Sequence, residues 1–249
     1  MNEQLLKSKY ANIDKVEYYD EITSTNDHAM EMLRAGFYGT AVIAAGNQTQ
    51  GRGRRGARWH SWTGSSVIFS YIHTFPKLPL PSHLAIVSGV VVADGVKNCE
   101  AVPQIKWPND ILIDNNKVGG ILIETHGNSV VIGVGINISV NNSDFNAVDL
   151  PHAGSIQGDA KIPFDTESCL FTIIDGVIAG MNKYEELGIN KFLVPWNKYN
   201  WLHNRNVRVT GPFGIAEGEG LFITGKLLFD VFTKTGVIAM PLSSNVEVL

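Results

Sequence analysis

Residues 105–138 read IKWPNDILIDNNKVGGILIETHGNSVVIGVGINI. Apolar and β-branched runs alternate here with turn residues: Asp114-Asn115-Asn116 separates 105–113 from 117–125, and Gly127-Asn128 separates that run from 130–138. Asn and Asp tolerate a left-handed backbone and Gly takes it without steric cost, so each cluster predicts a hairpin. The result is an antiparallel meander that carries Lys106, Asp110, Lys117 and Asn137 on neighbouring strands, where side chains distant in sequence face one pocket. Lys106 and Asp110, four apart, are expected on one face of a single strand as an ion pair. Gly119 and Gly120 have no side chains to pack, which leaves room for backbone close to a ligand or for a β-bulge.

Outward from the meander lies Gly51-Arg52-Gly53-Arg54-Arg55-Gly56, followed by Ala57-Arg58-Trp59. Glycines let backbone N–H groups approach a ligand, and guanidinium forks grip phosphate or carboxylate oxygens in pairs. Taken alone, such a run reads first as a solvated basic turn or a nucleic-acid patch, and the motifs around it overturn that reading. It joins two predicted strands, 40–45 and 67–73. Upstream, 16–22 reads as a strand and 26–34 as a helix, capped by Ser24, Thr25 or Asn26 and stopped by Gly36. A helix start offers free N–H groups and hydroxyls to a polar ligand as well as a cap.

Residues 82–97 predict a buried helix with Ser82 as cap, and 165–184 a core-packing helix. The Asn-, Asp-, Gly- and Pro-containing stretch 141–163 reads as a long surface connection. Beyond Val207 come short strands broken by glycine, at 207–210, 220–223, 226–230, 236–240 and 246–248, a cadence that suggests a small β-barrel.

The 249 residues permit one large domain, or one large and one small. A net charge of −4 makes the arginine loop a local positive island suited to a small anion, and no broad basic face for a duplex is indicated. Residues 207–249 also lack the aromatics interleaved with basic residues that a nucleic-acid barrel would show. There is no apolar run long enough to span a bilayer, and residues 1–10 lack the apolar stretch of a signal peptide, so a cytosolic protein is expected. Cys99 and Cys169 offer neither a disulfide framework nor a zinc spacing and are expected to be reduced and buried.

Ser24-Thr25-Asn26, Gly51-Arg52-Gly53-Arg54-Arg55-Gly56, Lys106-Trp107-Pro108-Asn109-Asp110, Lys117-Val118-Gly119-Gly120-Ile121-Leu122-Ile123-Glu124 and Gly133-Val134-Gly135-Ile136-Asn137 stand in this order. Together they closely resemble the catalytic core of the biotin protein ligases, over about residues 18–140. The resemblance implies an α+β fold: a class II aminoacyl-tRNA synthetase/biotin synthetase-like catalytic domain with a mixed, largely antiparallel sheet and flanking helices, at 1–203, plus an SH3-like C-terminal β-barrel at 204–249. It implies two steps: biotin and MgATP give biotinyl-5′-AMP and pyrophosphate, and a lysine of a biotin carboxyl carrier domain then attacks the mixed anhydride. The motifs begin so early that the N-terminal DNA-binding domain of some relatives is not expected, and with it no nucleic-acid or membrane partner. Monomer and homodimer both stay open.

By position in those motifs, Ser24, Thr25, Asn26 and Gln48 are similar to the residues that hydrogen-bond the ureido ring. Gly51, Arg52, Gly53 and Arg54 would wrap the ligand carboxylate and later the adenylate phosphate, with Arg54 as gatekeeper. Gly119 and Gly120 would bring backbone to biotin. Lys117 resembles the lysine that contacts both the biotin carboxyl and the α-phosphate. Lys106 would help with phosphate charge, Asp110 would orient or deprotonate the incoming amine, Trp59 would cover the adenylate, and Asn137 would touch ATP phosphate or its magnesium. Magnesium should arrive with the nucleotide, without a dedicated protein cage. The enzyme rival is a lipoate or octanoate ligase or transferase, which shares the fold; the lysine-tryptophan and arginine motifs favour biotin. Asn47-Gln48-Thr49-Gln50 and Trp62 depart from the common pattern and leave rim contacts open.

Overall fold

The computed structural model describes residues 3–157, 165–212 and 214–249. Strands β1 (Lys15–Ile22), β2 (Ala41–Gln48), β3 (Ser66–Thr74), β4 (Gln104–Lys106), β5 (Asp110–Ile113), β6 (Asn116–His126) and β7 (Ser129–Asn137) form one sheet in the order β1-β2-β3-β7-β6-β5-β4. Only β1 and β2 run parallel. Their crossover holds helix α2 (Thr25–Arg34), as a parallel pair requires. The predicted meander is present, with Asp114 and Asn115 in the left-handed region at φ 49° and 66° and Gly127 at 57°.

Alternation along the strands sorts side chains onto two faces. Val67, Phe69 and Tyr71 of β3 and Val130, Ile132, Val134 and Ile136 of β7 enter the main core. That core also takes in helices α3 (Pro81–Asn98), α5 (Thr166–Leu187) and α6 (Asn190–Tyr199). Ile72 and Val131, one residue out of phase, meet Ala29, Met30 and Leu33 of α2 on the opposite face. Helix α3 is apolar nearly all round because it packs on the sheet and on α5 together. Cys99 and Cys169 are free and buried, as expected.

Several boundaries differ from the sequence reading. Leu80 caps α3 and Pro81 takes its first turn, in place of Ser82, because proline's fixed φ suits a helix start. The single strand predicted over 105–113 is two, β4 and β5, interrupted at 107–109 around the cis Trp107-Pro108 bond, since proline has no N–H for the ladder. The connection 141–163 contains a short helix, α4 (Asn142–Ala147), that buries Phe145; its part from 158 on lies outside the described residues. Helices α1 (Glu3–Lys9) and α6 had no counterpart in the sequence reading.

The C-terminal strands β8 (Asn206–Gly211), β9 (Gly214–Ile223), β10 (Leu228–Thr233), β11 (Gly236–Pro241) and β12 (Asn245–Val248) form a five-stranded antiparallel sheet in the order β11-β10-β9-β8-β12. The sheet is consistent with the SH3-like domain expected; among the described residues β11 and β12 each bond to one neighbour, so no closed barrel forms. Val207, Val209, Phe229 and Val231 join the main apolar cluster, as do Trp201 and Leu202. Among the described residues, no helix is long and apolar enough to cross a membrane.

His73 on β3 carries a pH dependence. It is 4 % exposed, between the Tyr71 hydroxyl at 3.1 Å and Glu185 at 3.3 Å. Burial lowers its pKa below the ordinary 6.5, although Glu185 pulls the other way. The folded value lies below the unfolded one, so this contribution to stability is complete above about pH 6.5 and lost as pH falls through the folded value. The urea midpoint should therefore drop between pH 7 and pH 5, and His73→Gln should flatten that slope; an equally steep slope in the variant would assign the loss to other groups.

Candidate ligand site

Cross-strand register lays out the floor of the site on the α2 side of the sheet. One row runs Ile68, Gly135, Gly120 across β3, β7 and β6, and the next runs Ser70, Gly133, Leu122. The glycines are there because something lies directly on them. A Cβ at Gly133 would sit 1.9 Å from Asn26 Oδ1, and one at Gly135 would sit 2.4 Å from the Trp59 indole. Gly120 is looser, its nearest neighbours being Lys117 and Trp59 at 3.6 Å.

The start of α2 closes one end. Ser24 caps the helix, accepting from the Asp27 N–H at 3.3 Å, and Ser24, Thr25 and Asn26 are all buried. Gln48 Oε1 accepts the Thr25 N–H at 2.7 Å and lies 3.1 Å from the Thr25 hydroxyl. The Ser70 hydroxyl sits 2.8 Å from Thr25 Oγ1 and donates to Asn26 Oδ1 at 2.6 Å. Asn26 Nδ2 in turn donates to Glu124 Oε2 at 2.9 Å. This chain of bonds fixes both side-chain amides, as a buried polar network must.

The arginine loop closes the top. Its two arms meet in an isolated bridge between Arg52 and Arg58, and Trp59 N–H donates to Gly51 O at 2.8 Å. Arg52 Nη2 lies 2.5 Å from Asp27 and 2.8 Å from Glu124, and the Asp27 hydrogen bond leads the effects that raise its pKa. Arg54 donates to the neutral Asn109 Oδ1 at 3.1 Å; burial, then Arg55, lowers its pKa from the usual guanidinium value, while the Asp110 charge pulls the other way. Arg54 and Arg58, which bonds only the Thr49 carbonyl at 3.4 Å, are thus the loop cations at the pocket with charge to spare, whereas Arg52 is already held by two carboxylates. Beside Asn109, Lys117 Nζ pairs with Asp110 at 2.7 Å.

These groups enclose a cavity of about 180 Å³. Of the residues singled out in the sequence, Ser24, Thr25, Asn26, Gln48, Arg52, Gly53, Arg54, Trp59, Asp110, Lys117 and Gly120 line it. Four do not. Gly51 closes the loop base, where a Cβ would lie 2.6 Å from Trp59 O. Gly119 faces the core: a Cβ there would meet Ile136 Cδ1 at 2.2 Å, and the β5–β6 register skips Val118, so the bulge is what this position shows. Lys106 opposes Asp110 across β4 and β5 and extends over the Trp201 ring at 5.0 Å, while Lys117 takes the Asp110 carboxylate. Buried Asn137 donates to Gly154 O at 3.1 Å, tying the 152–154 segment to β7.

Sequence reasoning assigned no role to Ser70, Asn109, Glu124, Gly133 or Gly135. The alternation Gly133-Val134-Gly135 is the legible signal, since it strips one face of a strand of side chains while the other stays apolar. Among the described residues, no group of three or more His, Cys, Asp or Glu is placed to hold a metal. The site offers one hydrogen-bonding end without net charge, around Thr25, Gln48 and Ser70, and one cationic end, at Arg54 and Lys117.

Residues 18–141 match the model of the Biotin/lipoate A/B protein ligase family. Similar proteins include the bifunctional ligase/repressor BirA of Salmonella typhimurium, 30% identical across 87% of this chain and 69% of its own length. The biotin--[acetyl-CoA-carboxylase] ligase of Paracoccus denitrificans is 28% identical across 80% and 85% respectively. Among solved structures, the biotin protein ligase from Aquifex aeolicus in complex with biotin and ATP superposes with a TM-score of 0.79 at 20% identity, covering 95% of this chain and all of that one, which shows a shared fold.

Proposed function

We propose that this chain, which belongs to the biotin/lipoate A/B protein ligase family, joins biotin to a lysine of a biotin carboxyl carrier domain by way of biotinyl-5′-AMP. The observation that carries this reading is a single slot with an uncharged hydrogen-bonding end and a cationic end. A ureido ring suits the first and a carboxylate meeting a phosphate suits the second. We further assign residues 1–203 to catalysis and 204–249 to an SH3-like domain.

In the first step a biotin carboxylate oxygen attacks the α-phosphorus and pyrophosphate leaves. Two anions must be brought together, so positioned cations lower the barrier. Lys117 and Arg54, held by the adjacent Asp110 and Asn109, meet that need. Magnesium would arrive with the nucleotide and keep most of its waters, as the single engaged carboxylate of Asp110 does not make a cage. In the second step the amine of the carrier lysine attacks the acyl carbon and AMP leaves. Asp110 orients that amine or takes its proton, and Trp59 covers the adenylate.

Pyrophosphate release with biotin, set against lipoate, tests the reading. Release with lipoate alone would overturn it in favour of the other branch of the family. Calorimetry with biotin followed by ATP should show ATP binding strengthened by biotin.

Arg54→Gly should still form adenylate but hold it poorly, because the guanidinium closing the cationic end is gone. A released mixed anhydride acylates any exposed lysine. Biotin blots of bystander albumin mixed with enzyme and MgATP should darken for the variant and stay faint for the unaltered chain. Clean lanes with an unchanged adenylate release rate would remove Arg54 from the role of gate.

A further inference from the structure

Each arginine of the loop has a different partner, and one of those partners lies in the other sheet. Arg52 is held by Asp27 and Glu124, Arg54 by Asn109, and Arg58 reaches Thr49 O at 3.4 Å. Arg55 alone leaves the catalytic sheet, its Nη2 donating to Asn245 Oδ1 at 2.7 Å, 190 residues along the chain. Asn245 opens β12, the edge strand of the C-terminal sheet, and its side chain is exposed.

Backbone geometry marks the same residue. Arg55 sits at φ 56°, ψ 29°, in the left-handed region that a side chain with a Cβ rarely enters. The following Gly56, at φ 80°, completes the turn. Such a conformation persists only where surrounding contacts hold it: the backbone bonds from Ala57 N–H to Arg54 O and from Gly53 N–H to Ala57 O close the turn, and the cross-sheet hydrogen bond holds the side chain. Arg55 and Asn245 also line one cleft of about 1130 Å³ between the two sheets. Arg54, Asn109 and Asp110 border both that cleft and the ligand pocket.

We propose that Asn245 is a positioning residue for the arginine loop: by holding Arg55, the C-terminal sheet keeps the loop tip closed over the pocket, and ligand retention depends on it. This rests on the reading of the loop as the cover of an adenylate. The bond joins a charged donor to a neutral acceptor at the surface, so it is strong enough to bias the loop and weak enough to release it. A carboxylate in the same place should bias it further.

The experiment uses the full chain and trypsin, which cleaves after the loop arginines at a rate that follows the open population. Without ligand, Asn245→Ala should speed cleavage after Arg54 by about threefold to tenfold, the scale of one such hydrogen bond. Asn245→Asp should match or slow the original rate. Both differences should vanish in an Arg55→Ala background, where the bond after Arg54 remains cleavable. Release of biotinyl-5′-AMP should follow the same order. Equal cleavage of Asn245→Ala and the unaltered chain overturns the proposal, as do effects that persist without Arg55, or release rates that ignore the cleavage order. If biotinyl-5′-AMP binds none of these proteins, the proposed activity fails, while the cleavage series still decides whether Asn245 holds the loop.

Discussion

Lys117→Ala is expected to slow adenylate formation by about two to three orders of magnitude, the usual cost of removing one preorganised charge stabiliser. Lys117 stands at the pocket wall with its ammonium 2.7 Å from Asp110, so its position is set before any ligand arrives. Its backbone is fixed as well, because the N–H donates to His152 O and the carbonyl accepts from Gly154 N–H, both at 2.9 Å. The variant removes the cation and leaves Asp110 without its partner, so the companion Asp110→Asn separates the two losses. That second variant should slow transfer to the carrier lysine more than adenylate formation. Single-turnover pyrophosphate release measures the first step. Release from Lys117→Ala within a few-fold of the unaltered rate would reduce Lys117 to a structural partner of Asp110.

The second large effect is expected from the pocket floor. Gly133→Ala places a Cβ where Asn26 Oδ1 now lies, at 1.9 Å, with Asn26 Cγ at 2.7 Å. Asn26 cannot yield cheaply, since its amide is engaged by Ser70, by Leu122 O and by Glu124. Displacing it leaves buried polar groups unpaired, each at about 1–3 kcal/mol. Biotin affinity should fall about 100-fold, read by calorimetry. The glycine two residues on has a different neighbour: Gly135→Ala meets the Trp59 indole, which belongs to the loop, so its main effect should fall on nucleotide binding. Equal biotin affinity for Gly133→Ala and the unaltered chain would mean that Asn26 is not a biotin contact.

Most of the architecture was legible because its signals are local. Asp114-Asn115 and Gly127 announce their turns through backbone preference alone, and Ser24 and Gly36 bracket α2 in the same way. Two-residue alternation tells which side chains share a face of β3 or β7 without reference to any partner. The motif order carried the family and placed most of the pocket-lining residues.

What the sequence could not specify depends on pairing between segments. Lys106 and Asp110 are four apart, yet the break at Trp107-Pro108 sets them on two strands, and Lys117 from a third strand claims the carboxylate. Gly119 and Gly120 are adjacent and chemically identical, but the skipped Val118 turns one into the core and the other to the pocket. Glu124 closes its motif with no role that the sequence assigns, whereas in the fold α2 and the loop bring Asn26 and Arg52 to its carboxylate. Turn chemistry and periodicity are properties of a few consecutive residues and survive in any context. Register, bulges and the choice among competing charge partners are decided only when distant strands pack, because each depends on which groups the fold leaves within hydrogen-bond reach.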